Sequence, residues 1–146
     1  MHAGAFHLFL NMFALLMFGP FLEQKIGGKK FLGLYFATGI AGNAGYFVYA
    51  YVLGNPAIPA VGASGAIYGV LGALAVLEPN LTVFAAPFFL PLPLWLAAIG
   101  WVLTEFAFLG APDLVGRAAH LAGLFLGVAC ALFLRSKSVQ ALEQWD

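Results

Sequence analysis

Three polar side chains interrupt apolar stretches of this chain, those of His7, Ser64 and His120. An unpaired hydrogen-bonding or ionisable group costs several kcal/mol inside a bilayer, so a polar residue in such a stretch indicates a functional site by default. A hydroxyl can act as a nucleophile, and an imidazole can accept its proton near neutral pH. The three residues together therefore predict chemistry carried out within a membrane.

The composition is that of a membrane protein. Of the 146 residues, 63% are hydrophobic and 8% are charged, whereas soluble domains carry about 25% charged residues. The mean hydropathy is +0.97. The formal net charge is zero, which argues against a basic surface for nucleic acid. The single cysteine, Cys130, cannot form an intrachain disulfide and is interpreted as a small hydrophobic side chain.

Charge-free runs separated by polar or proline-containing segments predict an all-α bundle of five membrane-spanning helices, in one domain over residues 1–146. The segment 81–93 contains three prolines, so we interpret it as a connector at the membrane edge. The predicted spans lie near residues 4–22, 31–53, 62–78, 94–109 and 118–134, with a polar tail over 135–146.

The basic residues predict the orientation of the bundle. If the chain crosses the membrane five times, five of its six basic residues lie on one side and Arg117 lies on the other. Cytoplasmic loops are enriched in Lys and Arg, so the side with five basic residues is predicted to be cytoplasmic. His7, Ser64 and His120 then lie at similar depth, near the non-cytoplasmic ends of three helices that are distant in sequence. The basic residues on the cytoplasmic side are Lys25, Lys29, Lys30, Arg135 and Lys137.

Ser64 lies at the predicted start of the third span, among the small residues Gly62 and Gly65. Small residues let the backbone approach a substrate, and the free amides of a first helical turn can stabilise an oxyanion. The alternative interpretation is that Ser64 is an ordinary N-cap, a common role of serine.

His120 is the candidate general base for Ser64. Gly123 and Gly127 follow it in a G-x-x-x-G pattern, which allows two membrane helices to approach closely. His120 lies three residues before Gly123 and hence on the same helix face. The alternative is an imidazole bonded to a carbonyl or water near the interface. The serine helix carries a matching row of small residues, Gly65, Gly69 and Ala73.

His7 and Asn11 are four residues apart and therefore point from one face of the first helix. Their N–H groups can donate to an oxyanion beside the Ser64 amide. The alternative is hydrogen bonding between helices, worth about 0.6 kcal/mol on average in membranes. His2 has a weaker assignment, either a hydrogen bond that holds the preceding loop or no role.

Two further residues are interpreted from their positions. Tyr68 lies one turn after Ser64 and either stacks on the His120 ring or is a core aromatic residue. Glu105, near the outer end of the fourth span, is interpreted as a carboxylate that snorkels to the interface, with no part in catalysis. The spacing of the histidines and the cysteine fits no zinc site, and no nucleotide-binding motif occurs, so neither a metal nor a cofactor is predicted.

In these three motifs the chain resembles the rhomboid family of intramembrane serine proteases. The motifs occur in the order of the family and cover essentially the whole chain. The matching residues are His2, His7 and Asn11 in the first motif, Gly62, Ser64, Gly65 and Tyr68 in the second, and Ala119, His120, Gly123 and Gly127 in the third.

The resemblance implies a function for each part of the site. Ser64 is then the nucleophile and His120 its base, in a dyad without an aspartate. The oxyanion hole is formed by His7, Asn11 and the Ser64 amide. The substrates are transmembrane proteins, cut near the outer membrane face, and the fourth span flanks their entry. The expected location is a plasma membrane, with an organelle as the alternative.

The chain departs from the family pattern at its start. Family members begin with another transmembrane helix and a long loop, and this sequence begins just before the second helix, as a fragment, a late start or a degenerate member. Two other functions stay open. A rhomboid-like binding protein would capture membrane clients without cutting them, whereas a channel or transporter would spread polar groups through the membrane depth.

Overall fold

The computed structural model describes residues 4–52, 63–85, 90–109 and 116–143. Within these ranges the chain forms an all-α bundle with one small hairpin, which confirms the predicted fold class. In chain order the elements are α1 (Ala5–Ile26), α2 (Gly28–Val52), α3 (Ser64–Leu77), β1 (Thr82–Ala85), β2 (Leu90–Pro93), α4 (Leu94–Ala107) and α5 (Arg117–Glu143).

Helices α1 and α2 are separated only by Gly27. Its φ of +83° lies in the left-handed region, which glycine adopts without a steric penalty, and its N–H donates to the Glu23 carbonyl. The polar segment on either side of Gly27, which we predicted to lie between two spans, is therefore mostly helical. Glutamate, glutamine and lysine are good helix formers, so this segment extends both helices past their apolar stretches.

Helix α3 is the centre of the bundle, in contact with each of the other four helices. Its residues from Gly69 to Leu74 are all buried. Helix α5 lies directly along it: a Cβ added at Gly123 would overlap the Gly65 carbonyl, and one at Gly127 would overlap the Gly69 carbonyl. This glycine-lined contact between α3 and α5, the α3–α5 seam below, confirms the close approach predicted from the small residues.

The segment between α3 and α4 contains a β-hairpin. Strands β1 and β2 pair antiparallel, with Thr82 opposite Pro93 and Ala85 opposite Leu90. Our interpretation as a connector did not include this pairing, because Pro91 and Pro93 lack the N–H of a regular ladder. Proline is tolerated on an edge strand, and in a two-stranded sheet both strands are edges.

The outer faces of the helices are strongly apolar. Phe6, Leu16 and Ile40 each expose 70% or more of their surface. Helices α1 and α2 and residues 117–136 of α5 are long and apolar enough to cross a membrane. The protein is thus a multi-pass integral membrane protein. Helices α3 and α4 are apolar but have only 14 residues each.

Candidate active site

Ser64 is the first residue of α3. The N-cap position is held by Ala63, and no side chain caps the helix. The first helical hydrogen bond described runs from the Ile67 N–H to the Ala63 carbonyl. The Ser64 Oγ lies 2.8 Å from Nε2 of His120 instead. The alternative that Ser64 serves as an N-cap is therefore wrong.

The ring of His120 is held on both edges and on one face. Nε2 meets Ser64, and Nδ1 lies 2.8 Å from Oε1 of Glu105. The Tyr68 ring stacks on the imidazole, with centroids 4.2 Å apart and planes 6° from parallel. This stacking was one of the two interpretations given for Tyr68. His120 is only 8% exposed, so the ring has little room to rotate.

Ser64 and His120 meet because three backbones converge beside them. A Cβ added at Gly42 of α2 would lie 3.0 Å from the Ala119 carbonyl and 3.2 Å from Cα of Gly65. Side chains at Gly42 and Gly65 would therefore push α2, α3 and α5 apart. Since Gly65 follows Ser64 and Ala119 precedes His120, the same glycines fix the separation of the two functional side chains.

Glu105 of α4 is a site residue that the sequence analysis misinterpreted. It is 5% exposed, so it does not snorkel. Its Oε1 accepts a hydrogen bond from the Tyr68 hydroxyl at 2.7 Å and lies against His120 Nδ1, while its Oε2 lies 3.5 Å from a guanidinium nitrogen of Arg117. The rule that we applied to the histidines could have identified Glu105. A carboxylate in an apolar span is a candidate functional residue, and it normally has a polar or charged partner inside the bundle.

Helix α1 carries the predicted oxyanion donors. Asn11 is buried, and its side-chain amide donates to the backbone carbonyl of His7 at 2.8 Å. The Asn11 Oδ1 is buried without a hydrogen-bond partner among the described residues. The described hydrogen bond of Asn11 is thus local to α1, and the role of His7 and Asn11 towards an oxyanion stays a prediction. His2 and Gly62 lie outside the described residues.

A cleft of about 220 Å³ reaches Ser64 from the side of α2. Its walls are mostly small or apolar, and Asn43 and Tyr35 add polar atoms. The residues that line it are Tyr35, Phe36, Gly39, Ile40, Gly42, Asn43, Ala63, Ser64, Gly65, Ala66, Gly116 and Ala119.

Comparison with known proteins identifies the family of this chain. The family model described as the Rhomboid domain matches residues 1–137. Rhomboid protein 1, mitochondrial, of Saccharomyces cerevisiae is 33% identical over 99% of the chain and 44% of its own length. Rhomboid protease GluP of Bacillus subtilis is 43% identical over 51% of the chain and 13% of its own length. Inactive RHOMBOID-like protein 8 of Arabidopsis thaliana is 34% identical over 51% of the chain and 20% of its own length.

The structure is an all-α membrane bundle whose central helix begins with a serine next to a histidine. This is the arrangement expected from the resemblance to intramembrane serine proteases. With the family model matching nearly the whole chain, this chain belongs to the rhomboid family. The chain spans less than half the length of each of the three relatives. Because these relatives include both a protease and a protein named inactive, family membership leaves the activity to be argued from the site.

Proposed function

We propose that this protein is an intramembrane serine endopeptidase with Ser64 as nucleophile and His120 as general base. The observation that carries the proposal is the 2.8 Å contact between the Ser64 hydroxyl and Nε2 of His120. Nucleophile and base within hydrogen-bond reach, with the base held by further groups, is the signature of an activated serine. At this distance the proton can pass from Ser64 to His120 without a movement of either side chain.

The length of α3 supports placement of the reaction inside the bilayer. Fourteen residues make a helix of about 21 Å, whereas the hydrocarbon core is about 30 Å thick. The far end of α3 is marked by an ion pair between Lys25 and Glu78, both about half exposed, which fits a membrane surface. Ser64, at the other end, then lies roughly 9 Å below the opposite surface.

The reaction we propose is acyl transfer to water. His120 takes the Ser64 proton as the hydroxyl oxygen attacks a peptide carbonyl, and then gives it to the leaving amine. Water, activated by the same imidazole, hydrolyses the resulting ester and restores both side chains. The oxyanion would accept hydrogen bonds from the Ser64 amide and, after a small rotation of their side chains, from His7 and Asn11.

The substrates we propose are transmembrane segments of other proteins. A regular helix hides its carbonyls, so a segment that unwinds readily, with small or helix-breaking residues, would reach Ser64 most easily. The cleft of about 220 Å³ beside Ser64 would take a small side chain next to the bond that is cut. The distribution of the basic residues supports a site on the non-cytoplasmic side. A plasma membrane is proposed, and the mitochondrial relative makes an organelle the alternative.

The alternative function is a binding module that captures membrane proteins without cutting them. The similarity to a protein named inactive favours it. The bond between Ser64 and His120 argues against it, because a binding module has no need of a nucleophile oriented by a base. We therefore rank the protease first.

Covalent labelling with a fluorophosphonate tests the proposal directly. In detergent or liposomes we expect the protein to be labelled on Ser64. Labelling should fall by at least about 10⁴-fold in Ser64→Ala and His120→Ala, as when a member of a nucleophile–base pair is removed. Ser136→Ala is the matched control, because this serine is exposed and its described hydrogen bond is local, to the Phe133 carbonyl. Unlabelled wild-type protein that also fails to cut a helix-breaking transmembrane peptide would favour the binding module.

A further inference from the structure

We propose that Glu105 is a positioning residue of the active site, so that Ser64 and His120 work as part of a serine–histidine–glutamate triad. This inference rests on the proposed protease function and goes beyond the dyad that the family resemblance implies. The three side chains form one line of contacts, from the Ser64 hydroxyl through both nitrogens of His120 to Oε1 of Glu105, with both contacts at 2.8 Å.

Glu105 determines which nitrogen of His120 carries the proton. A carboxylate can only accept hydrogen bonds, so Nδ1 beside Glu105 must be the protonated nitrogen of the neutral ring. Nε2 then has a free lone pair, and it faces the Ser64 hydroxyl as an acceptor. Glu105 thus selects the tautomer in which His120 can remove the serine proton. With the proton on Nε2, the ring would donate to Ser64 and could not act as its base.

Glu105 also lies beside the positive charge that forms during the reaction. When the Ser64 proton moves to Nε2, His120 becomes a cation, and a carboxylate 2.8 Å from Nδ1 stabilises that cation. Glu105 is 5% exposed, so little water weakens the interaction. No proton passes to Glu105: the proton released by Ser64 stays on Nε2 until the leaving amine takes it.

Glu105 is itself held as an ionised group by its neighbours. The Tyr68 hydroxyl donates to Oε1 at 2.7 Å, and Arg117 lies 3.5 Å from Oε2. The Arg117 guanidinium also lies over the Phe108 ring, 5.5 Å from its centroid. A buried carboxylate without such partners would neutralise. The surrounding groups therefore hold a negative charge where the protonated histidine forms.

The test is the rate of fluorophosphonate labelling as a function of pH, measured for wild-type protein and Glu105→Gln. The substitution keeps the volume and removes the charge. We expect labelling to slow by about 10²–10⁴-fold on the plateau, the range seen when the acid of a triad is replaced. We also expect the pH dependence of labelling to change in the variant, because the group that faces Nδ1 of His120 is no longer charged.

Among the described residues, Tyr68 reaches this cluster from α3, Glu105 from α4, and Arg117 from α5 itself. Beside the cluster, the residues of α2 that lie closest against the backbone of α5 include Gly42 and Gly45, neither of which titrates. Tyr68→Phe keeps the stacked ring and the carboxylate and removes one hydrogen bond that holds it, so this variant should slow labelling by about tenfold at most. A merely structural role of Glu105 would lower the plateau without moving the pH dependence.

A second measurement needs no change at Glu105. Nitrogen-15 NMR of histidine-labelled protein reports which ring nitrogen is protonated, and His120→Gln assigns the signal. We expect Nδ1 to carry the proton at neutral pH. An Nε2-protonated ring, or Glu105→Gln that labels at the wild-type rate and pH dependence, would overturn the inference while labelling of Ser64 still supports the protease. Wild-type protein that neither labels nor cuts would instead refute the proposed function.

Discussion

Polar residues are bonded differently at the α3–α5 seam and on the face of α1 that carries His7 and Asn11. At the seam, Ser64 and His120 come from separate helices and meet at 2.8 Å. On α1, Asn11 bonds the carbonyl of His7 on its own helix, and its Oδ1 is buried without a described partner. From the sequence we predicted that both regions take part in one reaction.

The difference follows from how closely the backbones approach. At the seam, glycines allow a backbone contact that any Cβ would prevent, so the two helices lie closer together than larger residues would permit. Helix α1 packs on the bundle through larger side chains such as Leu22, which is fully buried. The proposed nucleophile and base thus lie at the close contact, and the proposed donors of α1 would become useful only when an oxyanion forms.

The largest effect is expected from a large side chain in the seam. In Gly123→Leu the new side chain would overlap the Gly65 carbonyl, which is backbone and cannot move aside alone. We expect α3 and α5 to separate, labelling of Ser64 to be lost, and stability to fall by about 3 kcal/mol or more, at or above the upper end for overpacked cores. Thermal unfolding in detergent, followed by circular dichroism, measures the loss.

The matched control is Gly100→Leu on α4. A Cβ at Gly100 meets nothing within 4 Å, and the residue faces outward. We expect its Tm to stay at or above that of the wild type, because glycine is a poor helix former. Equal destabilisation by both substitutions would show that the seam is not the special contact described above.

An intermediate effect is expected on α1. Asn11→Ala removes a predicted oxyanion donor and leaves Ser64 and His120 in place. Loss of one such donor lowers kcat by about 10²–10³-fold in serine proteases, so we expect a decrease of that size in cutting a transmembrane peptide, with Tm nearly unchanged. Asn43→Ala, at the cleft on α2, is the control and should change KM more than kcat. Unchanged kcat in Asn11→Ala would leave α1 with a packing role only.

The sequence predicted the part of the site that depends on local spacing. Ser64, His120 and Tyr68 come together as expected, because small residues at intervals of four define a helix face and its partner. Glu105 was misinterpreted because its partners lie on two other helices, α3 and α5, and no local spacing relates them to α4. A carboxylate in an apolar span is compatible with snorkelling or with burial, and only the rotation of α4 about its axis decides between them.

The smallest effect is expected where α2 meets α3. Thr38 is fully buried, and its hydroxyl donates to the Leu34 carbonyl of its own helix at 2.9 Å and lies 3.4 Å from the Ala66 carbonyl of α3. Thr38→Val keeps the shape and removes only the hydroxyl. Because the shorter bond is within α2, we expect a loss of about 0.6 kcal/mol, the average for such bonds in membranes.

Thr104→Val provides the comparison for Thr38→Val, since the Thr104 hydroxyl makes the same bond, to the Gly100 carbonyl, on an exposed face. If both substitutions lower Tm by less than one or two degrees, polar contacts between helices add little and the glycine seam dominates. A decrease in Thr38→Val as large as in Gly123→Leu would mean that the hydroxyl beside Ala66 positions α3 as firmly as the seam does. The rigid part of the site would then extend to α2, whose glycine already contacts the backbone on which Ser64 and His120 lie.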